Sequence, residues 1–192
     1  LLLLAMAILS VLWLGVRQPE TLPRAARAPL SLSRVLGDMG EVLRDRRAAG
    51  YTLATGMVFA AFVAYLQMSQ QIFVELYGKT HTFPFYFGLL VGAIGLASVL
   101  NARLVMRYGM RHISWRGLLG STFVAATFLA VALAFSGRPP FPVFVAAFMA
   151  LFFFNGMLYG NFNALAMENM GHIAGTASAV IGAVPTFISM AI

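Results

Sequence analysis

The sequence predicts an all-α membrane protein, a polytopic bundle of transmembrane helices. Hydrophobic residues make up 60% of the 192-residue chain and charged residues only 10%, whereas soluble domains are about a quarter charged. The apolar residues lie in blocks of about 20 residues, the length that a helix needs to cross the ~30 Å hydrocarbon core of a bilayer. The charges fall in the gaps between these blocks, which indicates topology control rather than a nucleic-acid-binding surface.

Six apolar blocks follow one another along the chain. Residues 1–16 read as the end of one span, and residues 17–47 form a polar linker. The further spans are predicted at residues 48–76, 84–106, 115–135, 142–167 and 173–192. Because both chain ends fall inside apolar blocks, we expect an internal fragment of a longer protein, with residues 48–192 forming a truncated transmembrane bundle.

One stretch of the linker has the spacing of an amphipathic helix. Charged residues occupy one side of this helix, and apolar residues occupy the other: Leu32, Val35, Leu36, Met39, Val42 and Leu43. The predicted N-cap is Ser31 or Ser33. Two interpretations stay open, since such a helix can lie on the cytoplasmic membrane surface or pack as a soluble helix under the bundle.

Basic residues are distributed unevenly between alternate loops. The linker carries seven Lys or Arg residues and the stretch from Arg103 to Arg116 carries four. The two loops between them carry one each, Lys79 and Arg138. By the positive-inside rule, the linker and the Arg103–Arg116 stretch are predicted to face the cytoplasm.

Polar side chains inside the spans are the candidate functional residues, because hydrocarbon makes them costly unless they face protein or a water-filled path. Two sets recur at intervals of four residues, and their members are candidate lining of a substrate pathway: Gln67, Gln71, Asn155, Tyr159 and Asn163. Glu75 continues the first set as a candidate proton or gate residue. The alternatives are that the amides only bridge helices and that Glu75 only reaches the membrane interface from a helix end.

Small residues in the spans predict close helix packing, at positions such as Gly88, Gly92, Gly95, Gly156, Gly160 and Gly175. Motifs for chemistry are missing. The sequence has no cysteine, no phosphate-binding glycine loop and no HExxH motif, and its three histidines fall in predicted loops. We therefore expect no enzyme activity, catalytic residue, cofactor or metal site.

Three short segments carry a family resemblance. They are PETLP at residues 19–23, NARLVMRYGMR at residues 101–111 and AGTASA at residues 174–179. In this order they resemble the segment after the sixth helix, the loop between the eighth and ninth helices, and the opening of the eleventh helix in the major facilitator superfamily. The resemblance is to its proton-coupled drug-efflux branch, of the bicyclomycin and chloramphenicol resistance type.

The middle segment resembles the C-half copy of the loop motif G-x-L-x-D-R-x-G-R-R of that family. Arg107, Gly109 and Arg111 match this motif, while Met106 replaces its Asp. The resemblance implies that the chain runs from the sixth into the eleventh helix, with residues 48–192 in the C-terminal six-helix half.

The resemblance also implies a function. It implies a secondary transporter that exports drugs or small amphipathic metabolites in exchange for protons, by alternating access. The implied setting is a bacterial inner membrane, with the linker in the cytoplasm and a lipid bilayer, a small-molecule substrate and protons as partners. A missing N-terminal six-helix half would hold the coupling carboxylate. Nutrient or sugar uptake by the same fold is the alternative. A membrane-embedded enzyme is the hypothesis from another class, and the sequence lacks the clustered His, Asp and Arg residues that it requires.

The predicted topology can be tested with single cysteines. Cysteines at Ser33 and His112 are expected to resist a membrane-impermeant thiol reagent in intact cells and to react in inverted vesicles, because both lie in arginine-rich segments. Cysteines at Thr80 and Gly137 are expected to do the opposite. Labelling of Ser33→Cys or His112→Cys from outside the cell would contradict this topology.

Overall fold

The computed structural model describes residues 2–17 and 31–191 of the chain. The chain divides into two compact units, with the boundary after Val35. The first unit contains helix α1 (Leu2–Arg17) and the first residues of helix α2 (Leu32–Arg44). The PETLP segment, which carries the first motif of the predicted family, lies outside the described residues.

The first unit shows local helix-end contacts. In α1, the Ser10 hydroxyl donates to the main-chain carbonyl of Met6 at 2.8 Å, within the same helix. The Arg17 guanidinium lies 5.1 Å from the ring centroid of Trp13, a cation–π contact at the end of α1. At the start of α2, the Ser31 hydroxyl oxygen accepts a hydrogen bond from the main-chain N–H of Arg34 at 3.4 Å. Of the two predicted N-caps, Ser31 therefore makes the capping contact.

The second unit holds the membrane-spanning helices. Helix α3 (Arg46–Gln70) continues into a π-helical turn at Gln71–Leu76, and it is followed by α4 (Phe83–Tyr108), α5 (Met110–Ala134), α6 (Phe141–Met167), a 3₁₀ turn (Gly171–Ile173) and α7 (Ala174–Met190). Among the described residues, five helices are long and apolar enough to cross a membrane. Such helices satisfy their own backbone hydrogen bonds in lipid. The predicted fold class, an all-α polytopic membrane protein, is confirmed.

Helix α6 is the common neighbour of α3, α4 and α5, and α3 packs in addition against α7. The main chains of α4 and α6 approach closely at Gly156, where an added Cβ would lie 2.8 Å from the main-chain oxygen of Ile94 in α4. A side chain of any size at Gly156 would therefore push the backbones of α4 and α6 apart.

The other predicted packing glycines behave differently. An added Cβ would meet nothing within 4 Å among the described residues at Gly88, Gly92, Gly95, Gly160 and Gly175. The close contacts that the sequence did not predict are at Gly56, which faces Ile188, and at Gly120, which faces Phe154. Spacing within one helix reveals a face of small residues, but it does not reveal which face a neighbour covers.

The turn predicted at residues 107–114 is wrong. Helix α4 continues to Tyr108 and α5 begins at Met110, so His112 lies on a helix and not in a loop. Gly109 alone separates the two helices, with a φ of 80° that disfavours residues with a Cβ. One left-handed residue reverses the chain here, and the surrounding arginines remain helical because their long side chains can reach water from helix ends.

An aromatic cluster closes the opposite end of the bundle. Phe73 in the π-helical turn is fully buried, and four rings surround it with centroids 5.4–6.2 Å away: Phe83, Tyr86, Phe141 and Phe144. The Tyr77 hydroxyl donates to the carbonyl oxygen of Pro139 at 2.8 Å and so links the two connections at this end. Burial raises the pKa of Tyr77 against the lowering effect of Arg138, so the hydroxyl keeps its proton at neutral pH.

The close contact at Gly156 predicts opposite effects for two glycines that are one turn apart on α6. Gly156→Ala is expected to destabilise the bundle by about 1–3 kcal/mol through overpacking against α4. Gly160→Ala, where the added methyl has open space, is expected to leave stability unchanged or to raise it through helix propensity. Apparent melting temperatures in detergent, followed by circular dichroism, would test this. Equal shifts for both variants would contradict the packing.

Candidate functional site

Two aromatic rings mark a surface shared by α3 and α6. The ring of Phe59 on α3 lies 5.7 Å from the ring of Tyr159 on α6, centroid to centroid. Tyr159 is 39% exposed, and within the described residues its hydroxyl makes no hydrogen bond. An aromatic surface with a free polar tip can contact a ligand that is itself partly apolar and partly polar.

The α-helical repeat places one glutamine on the same side of α3 as Phe59. Eleven residues complete about three turns, so Gln70 lies three turns beyond Phe59 and on the same side. Gln67 lies three turns beyond Gly56, and Gly56 faces α7 through Ile188. Gln70 was not among the predicted pathway residues, because the interval of four residues pointed to Gln67 and Gln71.

The π-helical turn changes the direction of the remaining polar residues of α3. Gln71 and Glu75 are exposed and line an open groove of about 310 Å³ with Ile72 and Leu76. This groove lies at the end of the predicted span, and its lining does not include Gln67 or Tyr159. The structure therefore places Gln71 and Glu75 together and separates them from the aromatic surface.

Asn155 lies one turn before Tyr159 on α6 and makes a different contact with α3. Its Nδ2 donates to the carbonyl oxygen of Val58 in α3 at 3.1 Å, which makes it a link between the two helices. It also lines a cavity of about 410 Å³ together with Tyr65, whose buried hydroxyl has no partner among the described residues. Asn163 is nearer to the aromatic surface, and its Nδ2 donates to the carbonyl oxygen of Tyr159 at 2.9 Å.

Two amide side chains that were not among the predicted candidates form a reciprocal pair of hydrogen bonds between α4 and α6. Nδ2 of Asn101 in α4 donates to Oδ1 of Asn161 in α6 at 2.8 Å, and Nδ2 of Asn161 donates back to Oδ1 of Asn101 at 2.9 Å. Asn161 is only 4% exposed. Asn101 opens the segment that resembles the loop motif, and it thus bridges two helices, which a loop motif gave no reason to expect.

The loop-motif residues lie at the arginine-rich end of the bundle. Arg111 Nη2 lies 2.6 Å from Oε2 of Glu168, so it joins the start of α5 to the end of α6. The guanidinium of Arg107 lies 5.3 Å from the ring centroid of its neighbour Tyr108, and Gly109 forms the break between α4 and α5. Arg107, Gly109 and Arg111 therefore shape this end of the bundle. Of the three, Arg111 bonds to a distant element within residues 2–17 and 31–191.

Helix α2 packs against the arginine-rich end of the bundle. Nε2 of His172 lies 2.7 Å from Oε1 of Glu41, and the Thr176 hydroxyl donates to Asp38 at 3.3 Å. Val42 is fully buried in a cluster with residues of α6 and α7. The helix is thus packed under the bundle through these three residues, while the rest of its apolar stripe in this unit remains exposed: Leu36, Met39 and Leu43.

Within residues 2–17 and 31–191, no group of three or more His, Cys, Asp or Glu side chains is placed to hold a metal ion. The features that remain are exposed amides and aromatic rings within spans, together with contacts that join the connections at one end. Both are features that a binding and conformational cycle can use.

Comparisons with known proteins agree on one family. The model of the Major Facilitator Superfamily matches residues 1–192. An uncharacterized MFS-type transporter of Bacillus subtilis, YdgK, is 29% identical over 188 residues, which cover 97% of this chain and 46% of the relative. A bicyclomycin resistance protein homolog of Haemophilus influenzae is 27% identical over 168 residues, covering 86% of this chain and 41% of the relative. No solved structure matches the chain.

These coverages mean that the chain spans less than half the length of either relative. Both alignments use most of this chain, so the similarity is not confined to one helix or to one motif.

We expect the ion pair between Arg111 and Glu168 to contribute only a small coupling free energy to the stability of the bundle. Their side chains are 54% and 40% exposed, and exposed pairs contribute up to about 1 kcal/mol because water screens the charges. In a double-mutant cycle of Arg111→Gln and Glu168→Gln, measured by thermal unfolding in detergent, we expect a coupling energy below about 1 kcal/mol that shrinks with added salt. A salt-independent coupling of several kcal/mol would contradict this expectation.

Proposed function

The chain belongs to the Major Facilitator Superfamily, and we propose that it supplies most of the C-terminal half of a proton-coupled antiporter that exports drugs or small amphipathic metabolites. In this proposal the spans move by alternating access against an N-terminal half. The linker then lies in the cytoplasm, and the protein lies in a bacterial inner membrane.

The observation that carries this proposal is the exposure of polar side chains within the spans. Gln67, Gln70 and Tyr159 are exposed on helices whose other sides pack closely. Hydrocarbon would penalise exposed amides, so these surfaces require a water-filled path or a further protein surface. A second half that encloses a substrate pathway meets both requirements.

The nature of the surface favours an amphipathic substrate. Phe59 and Tyr159 supply aromatic area with one hydroxyl, and Gln70 supplies both a donor and an acceptor on the same side of α3. Binding sites for small molecules combine mainly apolar walls with a few polar groups. The relative described as a bicyclomycin resistance protein homolog supports drugs as the substrate class.

Proton coupling needs a carboxylate that titrates within the membrane. The sequence has six acidic residues, and of these only Glu75 lies in a candidate span, in its last turn. We therefore assign the coupling carboxylate to the N-terminal half and leave to Glu75 a role at the entrance of the pathway. The paired side chains at the arginine-rich end are largely exposed and can separate at little cost during the cycle.

The test uses the complete protein in a bacterial strain that lacks its own efflux pumps. Cells are expected to accumulate less of an amphipathic drug, with bicyclomycin and chloramphenicol among those tried, and a protonophore should abolish the difference. Tyr159→Ala is expected to lower the efflux rate of aromatic substrates by roughly two- to tenfold, which corresponds to the ~0.5–1.5 kcal/mol of an aromatic contact. Gln70→Leu is expected to alter the ranking of substrates.

The matched control is Phe123→Ala, which removes a ring that is 72% exposed on α5. Helix α5 has no substantial contact with α3, the helix that carries Phe59. We expect it to leave transport unchanged, and protein abundance should be equal in all variants. Increased accumulation would indicate uptake by the same fold instead of export. Equal effects of Tyr159→Ala and Phe123→Ala would refute the assignment of the substrate surface.

A further inference from the structure

A groove runs along the bundle between α3 and α5. Both helices pack on α6, yet they have no substantial contact with each other, so the surface of α6 forms the floor of the groove. Two cavities follow one another along it. One lies at the arginine-rich end and has a volume of about 320 Å³, and the other is the 410 Å³ cavity in the middle of the spans.

The end cavity is rich in groups that bind anions. Arg46 and Arg47 enter it from α3, and Arg111 enters it from α5. Two carboxylates are close to these arginines, and both already accept hydrogen bonds: Asp45 from the main-chain N–H groups of Arg47 and Ala48, and Glu168 from Arg111. A guanidinium has five N–H donors, so Arg111 can keep Glu168 and still contact another anion.

A buried hydroxyl in the same cavity supplies an independent observation. Ser114 lines the cavity and is only 3% exposed, but its Oγ has no hydrogen-bond partner among the described residues. In most helices a serine hydroxyl can donate to the carbonyl one turn earlier, as Ser98 does to Ile94 in α4. An unpartnered buried hydroxyl beside three guanidinium groups is suited to bind an oxygen of a ligand.

Beyond the arginines the groove becomes mainly apolar. The second cavity begins one turn further along α3 and α5, where its walls include Met57, Ala61 and Ala125. Fourteen residues of helix separate Arg47 from Ala61, which is about 21 Å, and the hydrocarbon depth of one leaflet is about 15 Å. The groove is therefore long enough for an acyl chain that starts at the arginines. Trp115, which is 62% exposed at its basic end, is of the residue type that prefers the membrane interface.

We propose that this groove binds one anionic diacyl phospholipid. Its phosphate lies against Arg46, Arg47 and Arg111, the Ser114 hydroxyl donates to a phosphate or glycerol oxygen, and an acyl chain follows the apolar groove between α3 and α5. A free phosphate would leave the apolar part unfilled. An apolar transmembrane helix would offer no partner to Arg46, Arg47 or the Ser114 hydroxyl, so charge complementarity favours the lipid.

The experiment uses the complete protein, purified and delipidated in detergent, and phosphatidylglycerol that carries bromine on its acyl chains as the probe. Bromine quenches tryptophan fluorescence at contact, so saturable quenching is expected. The part of it that comes from Trp115 should be lost in Trp115→Phe, which keeps Trp13. Arg46→Gln combined with Arg47→Gln is expected to weaken the apparent affinity roughly tenfold or more. The matched control, Arg103→Gln combined with Arg116→Gln, removes two exposed arginines that do not line the groove and should leave the affinity within about twofold.

A serine variant distinguishes ligand binding from a structural role. Ser114→Ala is expected to weaken phosphatidylglycerol binding without lowering the melting temperature of the lipid-free protein, because the hydroxyl has no partner to lose. Ser98→Ala serves as its control and should not change binding. Melting temperatures of all variants would establish that each is folded.

Several outcomes would overturn the proposal. Equal binding of brominated phosphatidylcholine would show that the headgroup charge is not recognised. Competition by inorganic phosphate at millimolar concentration would indicate a free anion instead of a lipid. An absence of Trp115 quenching in the folded complete protein would mean that another helix fills the groove, and equal losses in the two arginine pairs would indicate a non-specific surface charge.

Discussion

Contact with α6 organises the bundle, since α3, α4 and α5 each pack against a different side of it. The contact between α4 and α6 requires Gly156, because the main-chain oxygen of Ile94 occupies the place of a side chain. In lipid there is little hydrophobic force between helices, so close backbone approach and interhelical hydrogen bonds supply the association. The reciprocal Asn101–Asn161 pair adds such bonds on the same α4–α6 interface, and it fixes the rotation of α6 about its axis.

That rotation decides which polar residues can serve a ligand. With α6 fixed by α4, Asn155 points towards α3 and bonds to Val58, whereas Tyr159 lies beside Phe59 and remains exposed. The two residues are one turn apart and belong to one stripe in the sequence. A rotation of about 40° separates residues at an interval of four, and that is enough to place one in a helix contact and the other on an open surface.

The sequence was sufficient for the fold class, because the length and composition of an apolar block are properties of each helix alone. Prediction from the sequence failed where a contact depends on a second helix. Nothing local distinguishes Gly156, which contacts α4, from Gly160, which contacts nothing within 4 Å. The break at Gly109 was predicted as an eight-residue turn because arginines usually mark loops. The π-helical turn at Gln71–Leu76 contains no glycine or proline that would have marked it in the sequence. The candidate pathway was predicted from an interval of four that this turn interrupts.

Arginines are concentrated at one end of the bundle. An excess of arginine in alternate loops sets the orientation of transmembrane helices, whatever contacts the individual arginines make. The fold then determines which groups each arginine contacts. Arg111 meets Glu168 because Gly109 returns the chain at once into α5, and Arg46 and Arg47 follow the carboxylate of Asp45, which caps α3. The groove between α3 and α5 then brings all three towards Ser114. A residue type selected for topology thus becomes available for binding at the end where an anionic leaflet would meet it.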